Sequence, residues 1–193
     1  PYCAGLAKLQ VFASHPNMTK KPILFILCGE AFSGKTTLSK EIARRYDAKI
    51  IGRDRIYFAL EKMLALEETP NDDDDKLWSK DLWPVATQGI KNHLLLGRSV
   101  VVDDVCLRLW QRDELRDLAT AADAGSVLIY LDVPGDILKQ RKDRNKATKE
   151  RHDVPSAWLA DDAGVFERPT ESEHPLVYTS DTDLSGWFGK LDI

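Results

Sequence analysis

The sequence predicts an α/β fold in which helices cover both faces of a parallel sheet. Three observations predict it. Strand-like apolar runs alternate with segments of helical periodicity along the chain. The first run, Ile23 to Cys28, is apolar at every position, as a central strand buried on both faces should be. A glycine-bounded turn comes directly after it and opens a helix-like segment at Lys35.

The elements run in order along the chain. Lys35 to Tyr46 carries Leu38, Ile42, Ala43 and Tyr46 at helical spacing. Ala48 to Ile51 is a short second strand. Asp54 is placed to cap a helix with the stripe Ile56, Tyr57, Leu60, Met63 and Leu64. A polar break, Glu67 to Lys76, holds the run Asp72 to Asp75 and reads as a solvated acidic loop. Pro84 suits the first turn of a helix that runs to about Leu96. Ser99 to Val102 is a buried strand ending in Asp103 and Asp104. Leu115, Leu118, Ala119 and Ala122 mark a further helix. Val127 to Leu131 is a fourth strand, stopped by Pro134. Ile137, Leu138 and Arg141 continue as a helix, and Pro155 opens a short one with Trp158 and Leu159. Leu176 to Tyr178 is a fifth strand, and Asp183 or Ser185 caps a last helix with Trp187, Phe188 and Leu191.

The chain has 193 residues, the length of one domain. Met18 precedes Thr19-Lys20-Lys21-Pro22 and reads as the natural start. Residues 1–17 are thus expected to be an extension outside a single domain over 18–193. Hydrophobic residues make up 43% and charged residues 30%, which argues against wholesale disorder. The net charge is −4, which disfavours a basic nucleic-acid-binding coat. Cys3, Cys28 and Cys106 have no C-x-x-C spacing, so a zinc knuckle has no support and a reduced, cytoplasmic protein is expected. No apolar run approaches the ~20 residues that span a bilayer, so no membrane partner is expected.

Gly29-Glu-Ala-Phe-Ser-Gly34-Lys35-Thr36 matches G-x-x-x-x-G-K-[ST], the phosphate-binding P-loop. The glycines let backbone N–H groups wrap an anion. The next helix adds its positive dipole end. Gly29, Ser33, Gly34, Lys35, Thr36 and Thr37 are the predicted nucleotide contacts. Lys35 reaches the β- and γ-phosphates, and the Thr36 hydroxyl is a ligand for Mg²⁺.

In a parallel sheet, ligands gather at the carboxyl ends of the strands. Asp103, after the third strand, is therefore the predicted partner of Thr36 on Mg²⁺. Asp104 competes for that role and is otherwise a substrate contact. Asp54, after the second strand, is placed to accept a proton from an attacking hydroxyl or to orient it. Its neighbours Arg53 and Arg55 can hold an anionic substrate. Residues 139–151 hold seven basic side chains against Asp143 and Glu150, a net +5. Arg141 and Arg144, three apart, can share a helix face and close over a transferring phosphoryl group.

These features together resemble the small P-loop kinases, a group that includes nucleoside-monophosphate, shikimate, gluconate and polynucleotide kinases. Phe166-Glu-Arg-Pro-Thr-Glu-Ser-Glu173 resembles the F-x-x-P-T-x-x-E element of predicted kinases in the zeta-toxin-like branch. The resemblance covers about residues 22–191. It implies a five-stranded sheet in the order 2-3-1-4-5 and a lid over ATP, about residues 139–155. It implies that Asp54 is the acceptor-side carboxylate, with Arg141 near adenine or Arg144 near the phosphates. Thr179 to Asp181 are placed near adenine, and Arg168 with the substrate. One departure is clear: polynucleotide kinases often show D-x-x-R at the second strand, and here Tyr57 stands three residues after Asp54. The expectation is an ATP- and Mg²⁺-dependent kinase acting on a hydroxyl of a small molecule. The alternatives are a polynucleotide 5′-hydroxyl kinase and an ATP-binding regulatory module that transfers nothing.

Overall fold

The computed structural model describes residues 20–64, 82–148 and 165–191. The expected extension, the acidic run Asp72–Asp75, residues 149–155 of the lid and the Trp158 helix lie outside the described residues.

Five parallel strands form one sheet in the order β2-β3-β1-β4-β5. They are β1 (Ile23–Cys28), β2 (Lys49–Ile51), β3 (Val100–Val102), β4 (Gly125–Asp132) and β5 (Leu176–Thr179). The helices between them are α1 (Lys35–Tyr46), α2 (Arg53–Leu64), α3 (Leu82–Leu95), α4 (Leu109–Ala121) and α5 (Gly135–Thr148). A short α6 (Leu184–Phe188) comes after β5. This is the order that the resemblance implies.

The all-apolar β1 is central because it has two faces to bury. Leu24, Ile26 and Cys28 point into one core layer with Trp83, Ile90 and Leu94 of α3 and Leu115 and Ala119 of α4. Phe25 and Leu27 point into the other with Leu38 and Ile42 of α1 and Trp187, Phe188 and Leu191 near the C-terminal end. The period-2 alternation of a strand thus feeds two helical layers from one run. Leu24, Phe25, Ile26, Leu27 and Cys28 are all fully buried.

β2, β3 and β5 differ from the sequence expectation by one residue at one end, and α2 and β4 differ as follows. Asp54 does not cap α2; the helix begins one residue earlier, at Arg53, and Asp54 lies in its first turn. There its negative charge still favours the helix dipole. β4 is longer than expected at both ends and pairs with β1 from Ile23 opposite Gly125 to Cys28 opposite Tyr130. The ladder with a central strand overrides the weaker pattern of Gly125 and Ser126. The last helix is capped in one of the two expected ways: Gly186 N donates to Asp183 Oδ2 at 2.8 Å. Among the described residues, no helix is long and apolar enough to cross a membrane.

Candidate active site

The loop between β1 and α1 carries the phosphate-binding motif. Gly34 sits at φ 106°, a left-handed conformation that side chains rarely adopt, and it leads directly into α1. Lys35 folds back over the loop. Its ammonium donates to the carbonyls of Gly29 at 2.8 Å and Glu30 at 2.7 Å. Burial holds its pKa below the usual value, against the pull of Asp103 and Asp104. A lysine charge held in a partly dry loop is suited to an arriving anion.

The β3 end supplies two carboxylates that point to different partners. Asp103 faces α1: Thr36 Oγ1 lies 3.4 Å from Oδ1, and Ser39 Oγ lies 3.0 Å from Oδ2. Burial raises its pKa, while the Ser39 hydrogen bond and Lys35 oppose the rise. Asp104 faces α2 and is buried. It accepts Arg53 Nε at 2.8 Å and Nη2 at 2.6 Å, with Val105 N at 2.8 Å and Arg53 N at 3.3 Å. The sequence expectation turns Arg53 and Asp104 toward substrate; in the structure both are buried and bonded to each other. They satisfy each other inside the fold, and the Arg53 guanidinium also lies 5.5 Å from the centre of the Trp83 ring. A buried charge must be paired, and this pair engages both groups with each other.

Gly52 makes the close approach of these two loops possible. A Cβ there would lie 2.2 Å from the Asp103 carbonyl oxygen. Asp103 N donates to Ile51 O at 2.8 Å, so the ends of β2 and β3 are locked together. Asp54 comes next on α2 and opens to solvent. Surrounding protein, first, and the charges of Asp104 and Asp103 push its pKa up to about 6, with Lys35 and Arg53 opposing. Asp54, Asp103 and Lys35 thus share one electrostatic neighbourhood. Arg55 is exposed beside them, and its charge acts on Asp103.

A cleft of about 380 Å³ lies on the other side of the loop. Ser33, Gly34 and Thr37 line it with Arg141, Arg144, Tyr178 and Ser180. Arg141 and Arg144 therefore share a face of α5, as their spacing predicts. Arg141 Nη1 donates to the carbonyls of Phe32 and Ser33, each at 3.1 Å. Thr179 does not line the cleft; its hydroxyl turns away to Thr182 Oγ1 at 2.7 Å. Its neighbours Tyr178, on β5, and Ser180, in the turn after it, line the cleft instead. Arg168 is exposed near the end of β4, close to Tyr130, whose pKa burial and the Asp132 hydrogen bond push up to about 12 with the Arg168 charge opposing.

A family model described as an AAA domain matches residues 24–169. The chain belongs to that family. This AAA domain is also 28% identical to a uridine kinase of Clostridium tetani (strain Massachusetts / E88) over 144 residues, 62% of the chain. It spans just under two thirds of that relative, 66% of its length. Among solved structures, a gluconokinase from Sinorhizobium meliloti 1021 aligns at TM-score 0.57 and 21% identity, over 89% of this chain and 94% of that one. Kti12 of Chaetomium thermophilum, solved with ADP-AlF3, aligns at 0.65 and 13%, over 88% and 95%. The fold is that of the P-loop kinases.

Sequence reasoning missed three features of this AAA domain. Ser39 is buried on Asp103, and its position one turn after Thr36 is the signal that could have found it. Asn145 joins Arg141 and Arg144 in lining the cleft. Arg112 is buried and paired with Glu173, a long-range contact that no local pattern announces.

Proposed function

We propose that the protein is an ATP-dependent phosphotransferase that moves the γ-phosphate to a hydroxyl of a small-molecule acceptor. One observation carries this reading: Lys35, Thr36, Asp103 and Asp54 gather at the carboxyl ends of β1, β2 and β3. The AAA domain match and the similarity to a uridine kinase support the reaction class. The fold shared with P-loop kinases agrees with it.

The chain's own groups divide the work. Lys35 and the loop N–H groups hold the phosphates. Arg141 and Arg144 border the nucleotide cleft and offer charge to the transferring group. Asp54 accepts the acceptor's hydroxyl proton as its oxygen bonds to the γ-phosphorus, while the bond to the β-phosphate bridging oxygen breaks and ADP leaves. A carboxyl with a pKa near 6 is ionised at neutral pH and basic enough for that task.

The residues present suit Mg²⁺. A hydroxyl and a carboxylate, Thr36 and Asp103, already converge within 3.4 Å. Magnesium is commonly held by one or two carboxylates plus phosphate oxygens and waters, with no larger protein cage. Among the described residues there is no cluster of three or more His, Cys, Asp or Glu that could hold a metal by themselves. When bound, the ion neutralises charge on the phosphate oxygens.

The test is coupled ADP release over sugars, nucleosides, shikimate-like acids, aminoglycosides and 5′-hydroxyl oligonucleotides. A small hydroxyl compound is expected to raise ADP release above the acceptor-free rate. Stimulation by oligonucleotides alone contradicts the small-acceptor reading. ATP-induced thermal stabilisation with no acceptor consumed points to the regulatory module instead.

A further inference from the structure

The end residues of the Phe166–Glu173 element have no role in the reaction above, yet they are tied tightly to the fold. Phe166 packs against Tyr130 with ring centres 6.0 Å apart. Glu167 Oε2 accepts Leu109 N at 2.7 Å, at the start of α4. Glu173 accepts Arg112 Nε at 2.7 Å and Nη2 at 3.0 Å, Arg116 Nη2 at 2.7 Å and Thr170 N at 3.1 Å. The Arg112 side chain is 1% exposed and that of Glu173 is 6% exposed.

The remaining arm of Arg112 leads to the site. Nη1 donates to the Cys106 carbonyl at 3.0 Å. Cys106 holds a left-handed φ of 44°, and its carbonyl also accepts the Cys28 thiol at 3.3 Å. The residue before it, Val105, accepts Gly29 N at 3.2 Å through its carbonyl. Asp103 is two residues further back. One guanidinium thus connects Glu173 to the turn that carries Asp103 and to the first glycine of the phosphate loop. A buried ion pair contributes little net stability over a well-packed apolar cluster. Its planar fork instead fixes geometry, which a lysine cannot reproduce.

We propose that Arg112 and Glu173 are positioning residues for the Asp103–Cys106 turn, setting where Asp103 meets the magnesium nucleotide. The inference rests on reading Asp103 as the magnesium-side carboxylate. Arg112 acts on the turn, and the turn holds the carboxylate.

The experiment measures AMPPNP binding by calorimetry at a series of Mg²⁺ concentrations, with thermal melting beside it. Arg112→Lys keeps the charge and loses the fork. It is expected to raise the Mg²⁺ concentration for half-maximal binding about tenfold. Glu173→Gln is expected to shift it in the same direction, and it carries the comparison if Arg112→Lys does not fold. A lower Tm with wild-type Mg²⁺ dependence overturns the proposal and leaves the pair a purely structural brace. Asp103→Asn separates the metal contact from its positioning. If it leaves the Mg²⁺ dependence unchanged, the reading of Asp103 fails and the positioning role falls with it. If Asp103→Asn shifts the dependence and the Arg112 and Glu173 variants do not, the positioning role alone fails.

Discussion

The Ser39 hydroxyl donates to Asp103 Oδ2 at 3.0 Å from a fully buried position on α1. Thr36, one turn earlier on the same helix face, reaches the other oxygen. One helix therefore orients both oxygens of a strand-end carboxylate. Ser39→Ala leaves Oδ2 without that donor and lets the carboxylate turn. We expect the Mg²⁺ concentration for half-maximal activity to rise about tenfold, with ATP affinity at saturating Mg²⁺ changed less. An unchanged Mg²⁺ dependence counts against this orienting role.

With Asp54 as the proposed proton acceptor, an acid limit on activity is expected. Partial desolvation by the protein around it and the charges of Asp104 and Asp103 bring its pKa up to about 6 in the free protein. Only the ionised form accepts a proton, so kcat/KM should fall as pH drops through about 6 and level off above it. Asp54→Asn should lose most turnover and this limb with it. A limb that survives in Asp54→Asn assigns the titration to another group.

Arg53 and Asp104 test the opposite kind of role. Their bidentate contact is internal, with side chains 9% and 6% exposed. Asp104→Ala takes the bidentate carboxylate away from a buried guanidinium, and the expected cost is about 3–5 kcal/mol in urea unfolding. The Trp83 ring beside Arg53 is too weak a partner to replace a carboxylate. A loss below about 1 kcal/mol would mean that the site relaxes and solvates Arg53.

Glu173 gives the fold an acid-sensitive contribution. Burial favours its neutral form, but hydrogen bonds from Arg112, Arg116 and Thr170 N outweigh burial and hold its pKa down to about 2. A carboxyl that is a stronger acid folded than unfolded stabilises the protein above its unfolded pKa, near 4.5. That contribution is lost as pH falls from there toward about 2. Glu173→Gln should therefore be less stable at neutral pH and show a flatter decline in that window. A variant whose decline matches wild type contradicts the assignment.

The parallel sheet is legible in the sequence because β1 is apolar on both faces and the motif from Gly29 to Thr36 dictates a tight loop and then a helix. Asp103 and Asp54 can be placed at the strand ends for the same reason, and Arg141 and Arg144 by their spacing on a helix. The pairing of Arg53 with Asp104 is not legible. Residues 51 apart in sequence meet only because Gly52 lets the β2 and β3 ends touch. Adjacent Asp103 and Asp104 have the same chemistry in sequence, and only the turn after β3 sends them to different partners. Within the expected stretch Thr179 to Asp181 it is Ser180 that lines the cleft, a distinction of one residue that the sequence alone does not make.

Phosphoryl transfer at the phosphate loop stands or falls on Lys35, so the decisive variant is Lys35→Ala. The readout is its acceptor-dependent ADP-release rate against wild type, with melting curves to establish that both proteins are folded. The rate should fall about a hundredfold or more. A folded Lys35→Ala protein with wild-type turnover would refute phosphoryl transfer by this loop.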